Sequence, residues 1–153
     1  MNALLGLHRM STRFDPCIAS HGGALVSLAI RLYVGWQFFK SGLVKIQDWG
    51  ATLALFHDEY QVPVLPPDLA AVLGTGGELG FPILLFIGLF SRPAALGLFF
   101  MNAMAVLSYP ALFEFECPAA LNDHFYWGFL LLALLAYGPG RLSADAWLAS
   151  RKA

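Results

Sequence analysis

The stretch Gly23–Val44, GALVSLAIRLYVGWQFFKSGLV, stays apolar for the length of a bilayer crossing and yet holds Arg31 near its middle. At 1.5 Å of rise per residue, about twenty helical residues cover the hydrocarbon core, and this run reaches that length. An ionised side chain at such depth costs about 2.5–3.5 kcal/mol on an insertion scale. A second run, Leu69–Phe90, repeats the pattern around Glu78. Two uncompensated charges would together cost roughly 5–7 kcal/mol, comparable with the whole stability of many small domains. The expectation is therefore that Arg31 and Glu78 form an intramembrane polar pair or face a wet cavity. Counted from the inner edges of their runs they lie about 12 Å and about 18 Å deep, an offset that an arginine can bridge.

Working outward, Pro93–Phe113 and Leu121–Tyr137 complete a set of four candidate spans. The last is strictly apolar only from Phe125, so it crosses only with Asn122, Asp123 and His124 at the headgroup boundary. Composition agrees with lipid as the solvent, since 58% of the 153 residues are hydrophobic and only 12% are charged. Nine basic against ten acidic residues give no electrostatic footprint for nucleic acid. The fold predicted is all-α, a four-helix transmembrane bundle forming one domain over residues 1–153. Between spans one and two, Trp49, Leu53, Phe56 and Tyr60 recur at helical spacing. They predict a short amphipathic helix lying in the interface, stopped by Pro63, Pro66 and Pro67.

The flanking charges set the orientation, because cytoplasmic segments collect Lys and Arg. Arg9, Arg13, Arg92, Arg141, Arg151 and Lys152 fall on one side, and only Lys40 and Lys45 on the other, among Asp48, Asp58, Glu59, Asp68, Glu114, Glu116 and Asp123. Residues 1–21 and 138–153 are accordingly expected as cytoplasmic tails in a plasma (inner) membrane. Residues 1–21 do not read as a signal peptide, because the apolar run after them is too long, contains Arg31 and lacks a small-residue cleavage site. A disulfide is excluded on the same topology, with Cys17 inside and Cys117 outside.

Three stretches carry a family resemblance. The first is Arg31, Gly35, Phe38, Phe39, Ser41, Gly42 and Lys45; the second is Glu78 opening a span that closes as Gly88-Leu89-Phe90-Ser91-Arg92 before Ala94 and Ala95. The third is Gly138-Pro139-Gly140-Arg141-Leu142-Ser143-Ala144-Asp145. Together they resemble the DoxX family of small four-helix membrane proteins over roughly residues 27–145. The segment from Glu114 to Trp127 departs from that pattern. The resemblance implies a membrane subunit of a redox or stress-response system, linked to sulfur and quinone or to metal, rather than an autonomous enzyme. Protein partners, the lipid bilayer and a homo-oligomer are the partners expected, and quinone and copper are the candidate cofactors.

Other residues present chemistry of their own. Lys45, at the outer end of span one, can hold a lipid phosphate, an anionic substrate or a quinone oxygen. His57, Cys117 and His124, with Glu114 and Glu116, offer mixed soft and hard ligands, of which Glu116, Cys117 and His124 form the candidate metal set. Their spacing matches no diagnostic zinc pattern, so a polar cap over the bundle competes with a metal or sulfur-compound site. Asn102 can hydrogen-bond a neighbouring helix, and Met101 and Met104 fill gaps beside it. Gly76 and Gly80, four apart, predict close approach of another helix, and no strand precedes them as a dinucleotide loop would need. Ser143 and Asp145 predict a cap for a short helix around Trp147. A binding or transport protein without electron transfer, and a passive assembly scaffold, are the competing functions.

Overall fold

The computed structural model describes residues 12–13, 15–114 and 119–151. Among them are six helices and no strand. Helix α1, Asp15–Gln47, is one long rod with a π-helical turn at Ile18–Gly22 near its start. It ends where Asp48 turns extended, and the Asp48 carboxylate accepts a hydrogen bond from the Ala51 N–H, capping α2, Trp49–Asp58. Here is the predicted interfacial helix, with Thr52 and Phe56 buried and Trp49 turned outward. After α2 the chain crosses to α4, where the Gln61 N–H donates to the Ser108 carbonyl, before prolines 66 and 67 start α3, Pro67–Ile87.

Gly88 ends α3 in a left-handed conformation, φ 75°, its N–H donating to the carbonyls of Leu84 and Leu85. Helix α4 runs Ser91–Ser108 and stops before Tyr109-Pro110, whereas the apolar run had suggested continuation to Phe113; residues 110–113 form a 3₁₀ turn instead. Helix α5, Ala119–Tyr137, and the short α6, Ala144–Ser150, complete the set.

Helices α1, α3, α4 and α5 make a four-helix bundle in which α1 packs chiefly on α3, α3 on α4 and α4 on α5, with α5 returning against α1. The core where they meet is Val34, Phe38, Leu85, Ala94, Ala95, Leu98, Leu131 and Leu134. Outside it the bundle presents Leu25, Trp36, Leu73, Phe100 and Phe129 as exposed apolar side chains, a surface suited to acyl chains and not to water. By length and composition α1, α3 and α5 can each cross a bilayer. Helix α4, at 18 residues with Arg92 and Asn102 in it, does not reach the same standard.

One packing expectation changes. No side chain of the described residues lies within 4 Å of where a Cβ would stand on Gly76 or Gly80. Close approaches fall at other glycines: Gly77 meets the Met101 side chain of α4, Gly35 meets Phe86, and at Gly42 a Cβ would lie 2.9 Å from the Leu79 side chain and 3.1 Å from Glu78 Cβ. The spacing of small residues identified a helix that can be approached; it did not identify the side from which its neighbour comes.

Candidate functional site

The Gly42 contact sets the register of α1 against α3 and so decides what Glu78 can reach. Glu78 sits level with Gly42, about 16 Å further along α1 than Arg31 at 1.5 Å per residue. Its partner is Lys45, one turn beyond, whose Nζ donates to Glu78 Oε1 at 2.8 Å, Glu78 Oε2 at 2.6 Å and Ser41 Oγ at 2.9 Å. All three ammonium protons are thereby satisfied. The two charged side chains are 11% and 16% exposed, so the pair is largely removed from solvent. The Thr52 hydroxyl donates to the Lys45 carbonyl at 2.9 Å, tying α2 to the same turn.

The expected Arg31–Glu78 pair is therefore corrected: the cation that Glu78 meets is Lys45. Arg31 is 0% exposed and bonds no carboxylate among the described residues. Its Nη1 donates to the Leu85 carbonyl at 3.0 Å and its Nη2 to the Leu142 carbonyl, while Nε has no hydrogen-bond partner among the described residues. The Leu85 carbonyl lies in the last turn of α3, at the negative end of its dipole, and the Leu142 carbonyl lies in the loop before α6. A cation can be met by them without any acidic side chain.

Around Arg31 the terminal Gly-Pro-Gly signature folds back as a clamp under the bundle. The Ser27 hydroxyl donates to the Gly138 carbonyl at 3.0 Å, and the Asp145 N–H donates to the Gly88 carbonyl at 2.9 Å. The Asp145 carboxylate accepts from the N–H groups of Phe90 and Ser91 at 2.9 and 3.0 Å, capping α4. Ser143 caps α6 as predicted, accepting from the Ala146 N–H at 3.2 Å, whereas Asp145 serves the other helix. Gly88 cannot be replaced here, because an added Cβ would meet Arg31 Nη1 at 2.3 Å and backbone Cα of Ser143 at 2.9 Å.

At the other end of the bundle a cavity of about 240 Å³ opens between α2, α3 and α4. Its walls are apolar, with Phe56, Leu73, Phe100, Met101 and Met104 prominent, and the Lys45–Glu78 pair forms a polar edge. Two hydroxyls join that edge. Ser108 Oγ is buried without a hydrogen-bond partner among the described residues, and Tyr60 lines the same space. Burial, followed by the nearby Glu78 charge, pushes the Tyr60 phenol up to about 12, so it remains a donor at physiological pH. Neither hydroxyl stood out in the sequence; the Ser41-to-Lys45 spacing of one helical turn was the available signal that Lys45 is held in place.

The remaining candidates are dispersed. His57 Nε2 lies 2.8 Å from Asp68 Oδ1 on the exposed surface. Asn102 reaches α5 as expected, its Nδ2 donating to the His124 carbonyl and its Oδ1 facing His124 Nδ1, both at 2.8 Å. The bonding pattern makes His124 Nδ1 the protonated nitrogen. Glu116 and Cys117 lie outside the described residues, among which no group of three His, Cys, Asp or Glu side chains converges.

A family model described as DoxX matches residues 26–111. A protein of Haemophilus influenzae, described as uncharacterized, is 32% identical over 129 residues, spanning 81% of this chain and 83% of its own. No solved structure matches the chain.

Proposed function

The chain belongs to the DoxX family, and on that premise we propose that it is a membrane subunit of a redox or stress-response system whose cavity beside Lys45 and Glu78 takes a lipophilic carrier of the quinone class. The observation that carries this reading is the cavity itself, apolar walls of about 240 Å³ meeting an edge of hydroxyls and an ion pair. A quinone head needs a flat apolar slot and hydrogen-bond donors for its carbonyl oxygens. Tyr60 is a donor and Ser108 Oγ is unpartnered among the described residues, while the Lys45 ammonium reaches a ligand oxygen by exchanging one of its two bonds to Glu78. Leu73 and Phe100 line the cavity and are also exposed on the apolar outer surface, which leaves the ligand's tail a path into lipid. The redox partner is a second protein.

The test is purification from native membranes in mild detergent, followed by quinone analysis and identification of co-purifying chains. Wild type retains quinone near one per chain, and Met104→Trp, which fills the cavity, loses it. Wild type without quinone, or Met104→Trp with an undiminished amount, overturns the reading.

A further inference from the structure

At the clamp end of the bundle α1 and α5 separate, and a cavity of about 370 Å³ opens between them. Val26, Ile30, Leu134 and Tyr137 wall it, and among the described residues no carboxylate lines it. Its rim is polar and cationic. Arg141 Nη1 donates to Ser20 Oγ at 3.2 Å, and Ser20 Oγ lies 3.2 Å from His21 Nδ1. The rim is built by the backbone: Gly138 and Gly140 are left-handed, φ 80° and 74°, and a Cβ on Gly140 would lie 3.0 Å from Ala24 Cα. This close seating of the loop on α1 sets Arg141 over the mouth.

We infer that this groove binds an anionic phospholipid, with an acyl chain along the apolar wall and the phosphate on Arg141. The chemistry fits on both counts. Arg141 directs one hydrogen bond to Ser20 and is exposed, leaving further guanidinium donors for a bidentate phosphate contact. Tyr137, 89% exposed at the end of α5, stands where amphipathic rings meet headgroups. The clamp carboxylate Asp145 is engaged by the backbone of α4. The site is separate from the Lys45 cavity and stands whether or not that cavity binds a quinone.

The experiment is native mass spectrometry of the delipidated full chain, titrated with phosphatidylglycerol or with phosphatidylcholine of the same acyl chains. Wild type should hold one phosphatidylglycerol at a concentration on the order of 10-fold lower than phosphatidylcholine: both lipids carry the phosphate, but the quaternary ammonium of phosphatidylcholine sets a second cation against the cationic rim, where no lining carboxylate among the described residues receives it. Arg141→Gln should abolish the preference. Arg151→Gln should keep it, because that guanidinium stacks on Trp147 at 4.1 Å and does not line the groove. Ala133→Phe, which fills the groove, should weaken retention of both lipids; if it fails to fold, the Arg141→Gln comparison decides alone. Equal retention of the two lipids by wild type overturns the inference, as does a preference that survives Arg141→Gln or is lost equally in Arg151→Gln. A wild-type dimer dissociated by Arg141→Gln would make a second copy the occupant and overturn it too.

Discussion

Replacing Lys45 by Met strands the Glu78 carboxylate between α1 and α3. With N–O distances of 2.6 and 2.8 Å, the attraction at an effective dielectric near 20 is about 5 kcal/mol, taking roughly 3 Å between charges. Much of that is offset by desolvation of both ions, yet removing one partner of a buried pair leaves the other uncompensated and costs about 3–5 kcal/mol. For a chain of this size each kcal/mol moves the melting temperature by roughly 2–4 °C, so the loss should be on the order of 6–20 °C. Thermal unfolding in detergent, followed by intrinsic fluorescence, reads it. Glu78→Gln should cost less, and the double variant Lys45→Met/Glu78→Gln should recover much of the deficit, because the interaction is shared. A parallel cycle pairing Arg31→Met with Glu78→Gln should be additive, since those side chains are bonded to different partners. Additivity in the Lys45 cycle together with strong coupling in the Arg31 cycle would refute the register derived from Gly42.

Gly88→Ala should be among the most damaging single changes, by several kcal/mol, because the left-handed backbone is strained for alanine and the new methyl meets Arg31 and Ser143; poor recovery of folded protein on size-exclusion chromatography checks this. Asp145→Ala removes the cap of α4 and should lower stability by about 1–2 kcal/mol, read as a reduced melting temperature, and an unchanged melt would contradict the clamp. Asp68→Asn, in contrast, breaks only an exposed contact with His57 and should shift stability by less than about 1 kcal/mol in the same assay. The Tyr60 phenol titrates near 12 in the folded chain against 10 for an unperturbed phenol. Its contribution is therefore complete below pH 10 and lost as pH rises toward 12; Tyr60→Phe should flatten the fall of melting temperature across that window, and an identical slope would argue against a buried phenol.

Much of the fold was legible because lipid imposes simple rules. Uninterrupted apolar length located the long helices, the Trp49-to-Tyr60 spacing located α2, and prolines 66 and 67 marked the start of α3. The site was less so. Depth had been counted from the edges of apolar runs as though those edges were level, whereas Arg31 meets Leu85 and Gly88 at the very end of α3, so Arg31 and Glu78 were placed too nearly level. Pairing by side-chain charge also overlooks main-chain carbonyls, which no residue letter announces, and these hold Arg31. Ser108 and Asp145 act through groups brought together only by the tertiary path, as when Asp145 reaches back to Phe90.

The clamp also has a temporal side. Arg31 enters the bilayer with the first helix, but one of its two acceptors, Leu142, is synthesised 111 residues later. At about 5–20 residues per second that interval is roughly 5–20 s. Until it closes, the nascent first span carries a cation that only the Leu85 carbonyl of α3 can meet, and its second acceptor arrives only after the last long helix. Insertion of this small protein is in that respect not a series of independent events but one, completed from its far end.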